Sequence, residues 1–373
     1  MEKRHEFKLI LGSISAFLLL VLFLIAYILR WKPSREESIE VRNSKHVEEF
    51  EAEDLIGFPG GEDLTVHDIL DAPGEVVGKS SYGTLYQASL QRSGSVVLLQ
   101  FLRPSCAGRA NDVLPTIRMM GFIRHSNLVP LQAFYVGPRG EKLLVHPFVS
   151  RSTLSQFLHD GTGESHRWTV IHNISLCIAI GLDHLHNGLQ KSIIHGNLKS
   201  KNILLDSYYQ PYLSDFGMHL LLKPSSAQEM LEDSADQGYK APELTKMKDV
   251  SKESDIYSFG VIVLEILTGK EPTYGNSFDI NLPTSMRNAI PNHKVFEIFR
   301  PELLNQSNHQ NSITKEGLLL YLQLAIDCCS SPPSLRPDIK QIVRKLEEIG
   351  QQICGINRGM APHMVETTDI TMG

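Results

Sequence analysis

His195-Gly196-Asn197-Leu198-Lys199-Ser200-Lys201-Asn202-Ile203-Leu204-Leu205 decides the reading of this 373-residue chain. A largely polar run closes on three aliphatic residues, the pattern of a loop entering a short strand. Asp215-Phe216-Gly217 comes ten residues past Leu205, and Gly238-Tyr239-Lys240-Ala241-Pro242-Glu243 follows. The order and spacing of these three motifs carry the fold.

On the amino-terminal side the pattern is β-rich. Val76-Val77 and Thr84-Leu85-Tyr86 flank a glycine-containing turn, and Val96 to Leu102 and Lys142 to Phe148 are continuous strand-like runs. Beyond about residue 150 the period changes. Val170, Ile171, Ile174, Ile178, Leu182 and Leu185 recur at helical spacing. Asp255 to Leu267 is apolar on most sides, as a core helix is, and Leu318 to Cys329 and Ile339 to Ile349 add amphipathic helices. The expectation is an α+β architecture of two lobes, a small β-rich one followed by a larger helical one.

Composition is that of a globular protein, with 42% hydrophobic residues, and a net charge of -6 gives no nucleic-acid-binding signature. The five cysteines, at 106, 177, 328, 329 and 354, have no metal-ligand spacing. Cys328-Cys329 reads as a buried pair in a reduced, cytosolic domain.

Leu9 to Leu29 is uncharged and mostly aliphatic. As a helix it reaches about 31 Å, against a hydrocarbon core of about 30 Å. It exceeds the apolar region of a cleaved leader and lacks a small-x-small site before Arg30, so a single membrane anchor is expected. Lysines and arginines balance on its two sides and do not set its orientation. The expected organisation is a short tail at 1–8, a transmembrane helix at 9–29 and a juxtamembrane linker at 30–65. A folded domain at 66–350 follows, with lobes at 66–149 and 150–350, and then a fraying tail at 351–373. With that organisation only eight residues would lie on the far side, and no ligand-binding ectodomain is expected there.

These motifs resemble those of protein kinases. The opening stretch is similar to the H-R-D-L-x-x-x-N catalytic loop, Asp215-Phe216-Gly217 to the D-F-G motif, and Gly238 to Glu243 to the end of the activation segment. Arg124 to Val129, Gly140 to Val145, Ser254 to Val261 and Leu335-Arg336-Pro337 resemble plant receptor-like kinases, and H-G-N resembles their transmembrane kinase-like branch. The resemblance implies a kinase-like domain on the cytosolic face of a membrane, expected to be the plasma membrane. It implies active receptor-like kinases or other membrane signalling proteins as partners, with lipid met through the anchor.

The same resemblance exposes departures. Phosphoryl transfer is positioning plus neutralisation of charge. Asn197 stands where the catalytic Asp belongs and has no carboxylate to accept a hydroxyl proton. Gln100 replaces the phosphate-holding Lys, and Leu98 replaces the small residue bordering adenine. Thr116 falls where the partner Glu of that Lys is expected, on a helix shortened by Pro115 and starting near Asn111 or Asp112. Gly196 replaces the Arg that grips activation-loop phosphate. In the turn Gly78-Lys79-Ser80-Ser81-Tyr82-Gly83, Ser80 replaces the second glycine, so Gly78 and Gly83 are a weak nucleotide signal.

Lys199 is retained, as are Asp215 and Asn202, the pair that would hold Mg²⁺ or else only bond the loops. Glu243 with Arg336 matches a buried ion pair, and Asp255 matches a helix Asp receiving catalytic-loop N–H groups. Ser225, Ser226 and Ser234 are candidate phosphate acceptors. The expected function is a signalling scaffold or allosteric partner with little or no phosphotransfer and no required cofactor. The alternative is a weakly active, atypical Ser/Thr kinase that binds Mg-ATP.

Overall fold

The computed structural model describes residues 54–149, 152–159, 165, 167–245, 249–272, 281–291, 295–304 and 315–354. The expected anchor at 9–29, its flanks and most of the tail from 351 lie outside them.

The small lobe is a six-stranded antiparallel sheet in the order β1-β5-β6-β4-β3-β2. Its strands are β1 (Asp54–Gly57), β2 (Gly74–Lys79), β3 (Gly83–Ser89), β4 (Val96–Leu102), β5 (Ala133–Val136) and β6 (Lys142–Pro147). Strand alternation sends neighbours to opposite faces. Phe134 and Leu144 join the main core, while Tyr135, Leu143 and Val145 pack on the other face with Ile69 of the short helix α1 (Val66–Leu70). Thr65 and Asp68 close α1 with a reciprocal capping box.

Strand β1 corrects the expected linker. Asp54–Gly57 pairs with β5 from Asp54↔Val136 to Gly57↔Ala133, so the folded region begins before residue 66. Four residues are too few to show a period in the sequence.

Helix α2 (Ala110–Gly121) lies against the inner face, burying Val113, Ile117 and Met120 at helical spacing. It starts one residue before the expected site and carries Pro115 past its first turn.

The large lobe begins with β7 (Ser152–Thr153) and α3 (Leu154–His159), and is built on α4 (Trp168–Asn187) and α6 (Lys252–Thr268). Among the described residues, α4 alone is long and apolar enough to cross a membrane. It buries Ile171, Ile174, Ile178, Leu182 and Leu185 and packs on α11 (Ile339–Cys354), as a core helix does. Helix α11 carries regular structure past the expected boundary at 350. Every residue of α6 from Ser254 to Thr268 is buried, and Ser251 and Ser254 cap it reciprocally.

Helix α6 packs on α10 (Lys315–Cys328), whose end places Cys328 and Cys329 in the core. Both thiols are free, and burial pushes that of Cys329 up to about 12. The short helices α7 (Leu282–Ala289), α8 (Val295–Ile298) and α9 (Pro301–Leu304) fill the periphery. Strands β8 (Ile203–Leu205) and β9 (Pro211–Leu213) join β7 in a second, three-stranded sheet.

After Asp215-Phe216-Gly217 the chain runs antiparallel against the loop before α2. An Ala107↔Leu222 bridge is flanked by Gly108 N–H to Leu221 O at 2.9 Å and Lys223 N–H to Cys106 O at 2.8 Å. It then forms α5 (Pro224–Asp236), a helix inside the segment read as an activation loop.

Candidate functional site

A cleft of about 480 Å³ lies between the sheet and the helical lobe. Gly78, Gly83, Leu98, Gln100, Lys199, Asn202 and Asp215 all line it. Seven positions that are far apart in sequence are thus brought together. Asn197 and Thr116 are not on its wall.

The loop before β8 is set by α6. Asp255, buried, accepts the N–H groups of His195 at 2.7 Å and Gly196 at 2.9 Å, and His186 Nε2 lies 2.9 Å from the same carboxylate. This is the contact expected of Asp255. His186 thus has a structural partner, and His184 stacks on His125 at 4.7 Å. Gly196 takes a φ of 73°, and a Cβ there would come within 2.5 Å of His219 Nδ1. An arginine at 196 would displace that imidazole.

Asn197 is 2% exposed, and neither atom of its carboxamide finds a hydrogen-bond partner among the described residues. The side chain at this position is thus buried and unpartnered in this conformation. Asn202 Nδ2 donates to the Asn197 carbonyl at 2.8 Å, so its amide braces the loop. Lys199 lines the cleft, and burial lowers its affinity for a proton while Asp215 and Asp233 oppose that shift.

Gln100, in the middle of β4, points across the cleft and donates from Nε2 to Asp215 Oδ1 at 3.1 Å. The other carboxylate oxygen accepts the Tyr82 hydroxyl at 2.7 Å. Tyr82 is only 4% exposed, and burial followed by the Asp215 charge pushes its hydroxyl well above the ordinary phenol range. Asp215 itself sits at a φ of 57°, a left-handed conformation uncommon outside glycine. Each oxygen of Asp215 already accepts one bond, so Mg²⁺ would have to displace or share with Tyr82 or Gln100 to take that carboxylate, while Asn202, bonded through Nδ2, keeps its Oδ1 as a metal-type donor. Thr116 sits half-buried on α2 away from the cleft, so no Gln100–Thr116 clamp replaces the Lys–Glu one.

Gly83 has a packing reason to be glycine, because a Cβ there would lie 2.5 Å from Phe101 O across the β3–β4 pair. A Cβ at Gly78 would meet only ordinary contacts.

Met230, Asp233 and Gln237 add a third wall to the cleft, on α5 and just beyond it. They were not singled out from the sequence, although Ala227, Met230, Leu231 and Ser234 do follow helical spacing. Ser226 and Ser234 are buried, which leaves Ser225 as the exposed serine of the three. Tyr82 was missed too; its only local signal is an aromatic residue directly before Gly83.

Below the cleft, Arg336 grips Glu243 with two bonds of 2.7 Å and donates to Glu253 O at 2.7 Å. Ser200 and Tyr239 both donate to buried Glu265, at 3.0 and 2.6 Å, joining the catalytic-type loop to the end of the activation segment.

Comparison with known proteins agrees with this geometry. A family model described as protein tyrosine and serine/threonine kinase matches residues 72–346. The kinase-like protein TMKL1 of Arabidopsis thaliana is 39% identical over 91% of this chain and 52% of its own length. A relative from the same plant, named as an inactive receptor kinase, is 33% identical over 91% of this chain and 53% of its own length. The chain thus spans about half the length of these curated relatives.

Among solved structures, the maize SIRK1 kinase domain bound to AMP-PNP superposes with a TM-score of 0.70. It is 29% identical, covering 80% of this chain and 100% of that one. The pseudokinase domain of BIR2, an immune regulator of the RLK/Pelle family, gives 0.63 at 27% identity, covering 77% and 82%. With a β-sheet lobe, a helical lobe and the three motifs gathered at the cleft between them, the chain belongs to the protein tyrosine and serine/threonine kinase family, with plant receptor-like kinases as its relatives.

Proposed function

We propose that this chain is a membrane-anchored receptor-like pseudokinase. It acts as a signalling scaffold or as an allosteric partner of active receptor-like kinases, with its kinase-like domain on the cytosolic side of the plasma membrane. The observation that carries the reading is Asn197. It lacks a carboxylate and is 2% exposed, so neither its chemistry nor its access suits a general base. Loss of a base alone costs about 10²–10⁴ in rate. Gln100 lacks the charge to hold phosphate and is turned to Asp215 instead. The names of the inactive receptor kinase and of the BIR2 pseudokinase lend support from relatives. Leu9 to Leu29 supplies the anchor, which raises local concentration beside membrane receptors and favours weak lateral contacts.

The retention of Lys199, Asn202 and Asp215 on one cleft favours the second reading, a weakly active atypical kinase. Radiolabelled Mg-ATP with the full-length chain and an Asp215→Ala control separates the two. The proposal expects no transfer above the control. Label that depends on Asp215 would establish catalysis instead.

A further inference from the structure

We propose that Tyr82 is this domain's internal substitute for Mg-nucleotide: its hydroxyl and the Gln100 amide together occupy the Asp215 carboxylate and hold the two lobes in register from within the chain.

Position and polarity both support this. Asp215 lies 133 residues from Tyr82 and 115 from Gln100, so the two bonds join the β2–β3 turn, the middle of β4 and the loop after β9. An ionised carboxylate facing a cleft needs donors or a cation. Here the chain supplies two neutral donors, one to each oxygen, and Asp215 keeps its left-handed backbone between them. In kinases the glycine-bearing turn closes on phosphates that are bridged to this Asp by metal. In this chain the turn closes on the Asp directly.

The tyrosine side chain is only 4% exposed, and the backbone that carries it is pinned. Ser80 N–H donates to Gly83 O at 3.0 Å, and Gly83 N–H returns a bond to Ser80 Oγ at 3.1 Å. Arg103 Nη1 holds Ser81 O at 2.8 Å, and the Arg103 N–H holds Tyr82 O at 2.9 Å. Ser80, which breaks the glycine pattern, is thus one of the groups that stiffens the turn. A pseudokinase that works by shape gains from this arrangement: its closed form does not vary with the nucleotide level of the cell. The inference rests on the pseudokinase reading only in that the cleft need not turn over substrate.

Hydrogen–deuterium exchange on the full-length chain in detergent tests it, with millimolar Mg-ATP as the only added ligand. Tyr82→Phe keeps the ring and loses one donor. It should speed exchange of the amides at 80–83 and 215–217 by about tenfold, as loss of a hydrogen bond to a charged group predicts. Wild-type exchange should be unchanged by Mg-ATP. Tyr82→Ala should exchange faster still and regain protection in both segments when Mg-ATP is added. Three results would overturn the proposal: wild-type exchange in Tyr82→Phe, protection of the wild type by Mg-ATP, or no effect of Mg-ATP on Tyr82→Ala. Phosphotransfer measured on the same wild-type sample bears on the pseudokinase reading alone, so the two can fail separately.

Discussion

Asn197 differs from aspartate by one group, and it is also buried, with no hydrogen-bond partner for its carboxamide among the described residues. Restoring the ionisable residues by Asn197→Asp with Gln100→Lys should therefore give no measurable phosphotransfer in a radiolabelled-ATP assay. Position 197 remains buried, and Thr116 supplies no acid for the new lysine. The double variant should also lose at least about 1–3 kcal/mol in urea unfolding, because Asn197→Asp would place a charge where the buried carboxamide already lacks a hydrogen-bond partner, while a lysine at 100 still faces Asp215. Titration follows from two buried imidazoles. Burial lowers both His172 and His195 from 6.5 to about 4. The unfolded chain then binds the extra protons, so stability is full above about pH 6.5 and falls as pH drops toward 4. Each histidine contributes up to about 1.4 kcal/mol per pH unit in that window. Unfolding at pH 5 and pH 7 should show this loss, and His172→Gln should flatten it. The departures of Gln100, Thr116 and Asn197 from the kinase pattern were legible in the sequence because each is a change of residue type, and the loss of function they carry is what we propose. What Tyr82 does was not legible, because its partner lies 133 positions away and nothing local predicts that bond.

Elements divide in the same way. Helices α4, α6, α10 and α11 were legible because each repeats apolar residues over several turns, and β2, β3, β4 and β6 because their runs are long or flank a glycine turn. Strand β1 is too short to show a period. Helix α5 was hidden by its serines, which read as loop chemistry although Ser226 and Ser234 face inward. Two tests belong at this scale. Arg336→Ala leaves Glu243 without its doubly bonded partner, and the loss of one member of such a pair costs about 3–5 kcal/mol, to be read from denaturant midpoints. Ser251→Ala removes the cap of α6, the helix that also presents Asp255 and Glu265. It should cost about 1 kcal/mol by the same measurement, with no change in the slope of the transition.

At the scale of the whole molecule, the two-lobed architecture was legible, while the way its lobes are tied was not. Protease protection on sealed microsomes should cut residues beyond 54 from the cytosolic side, as the proposed topology requires. One of the ties has a further consequence. Where Leu221 to Lys223 runs beside Cys106 to Gly108, the bonds are between peptide groups. The exposed ring of Phe122 stands at the far end of the same α2. Since the linkage is peptide to peptide, mutational drift in the side chains along it leaves the line between the loop before α2 and the stretch leading into α5 uncut.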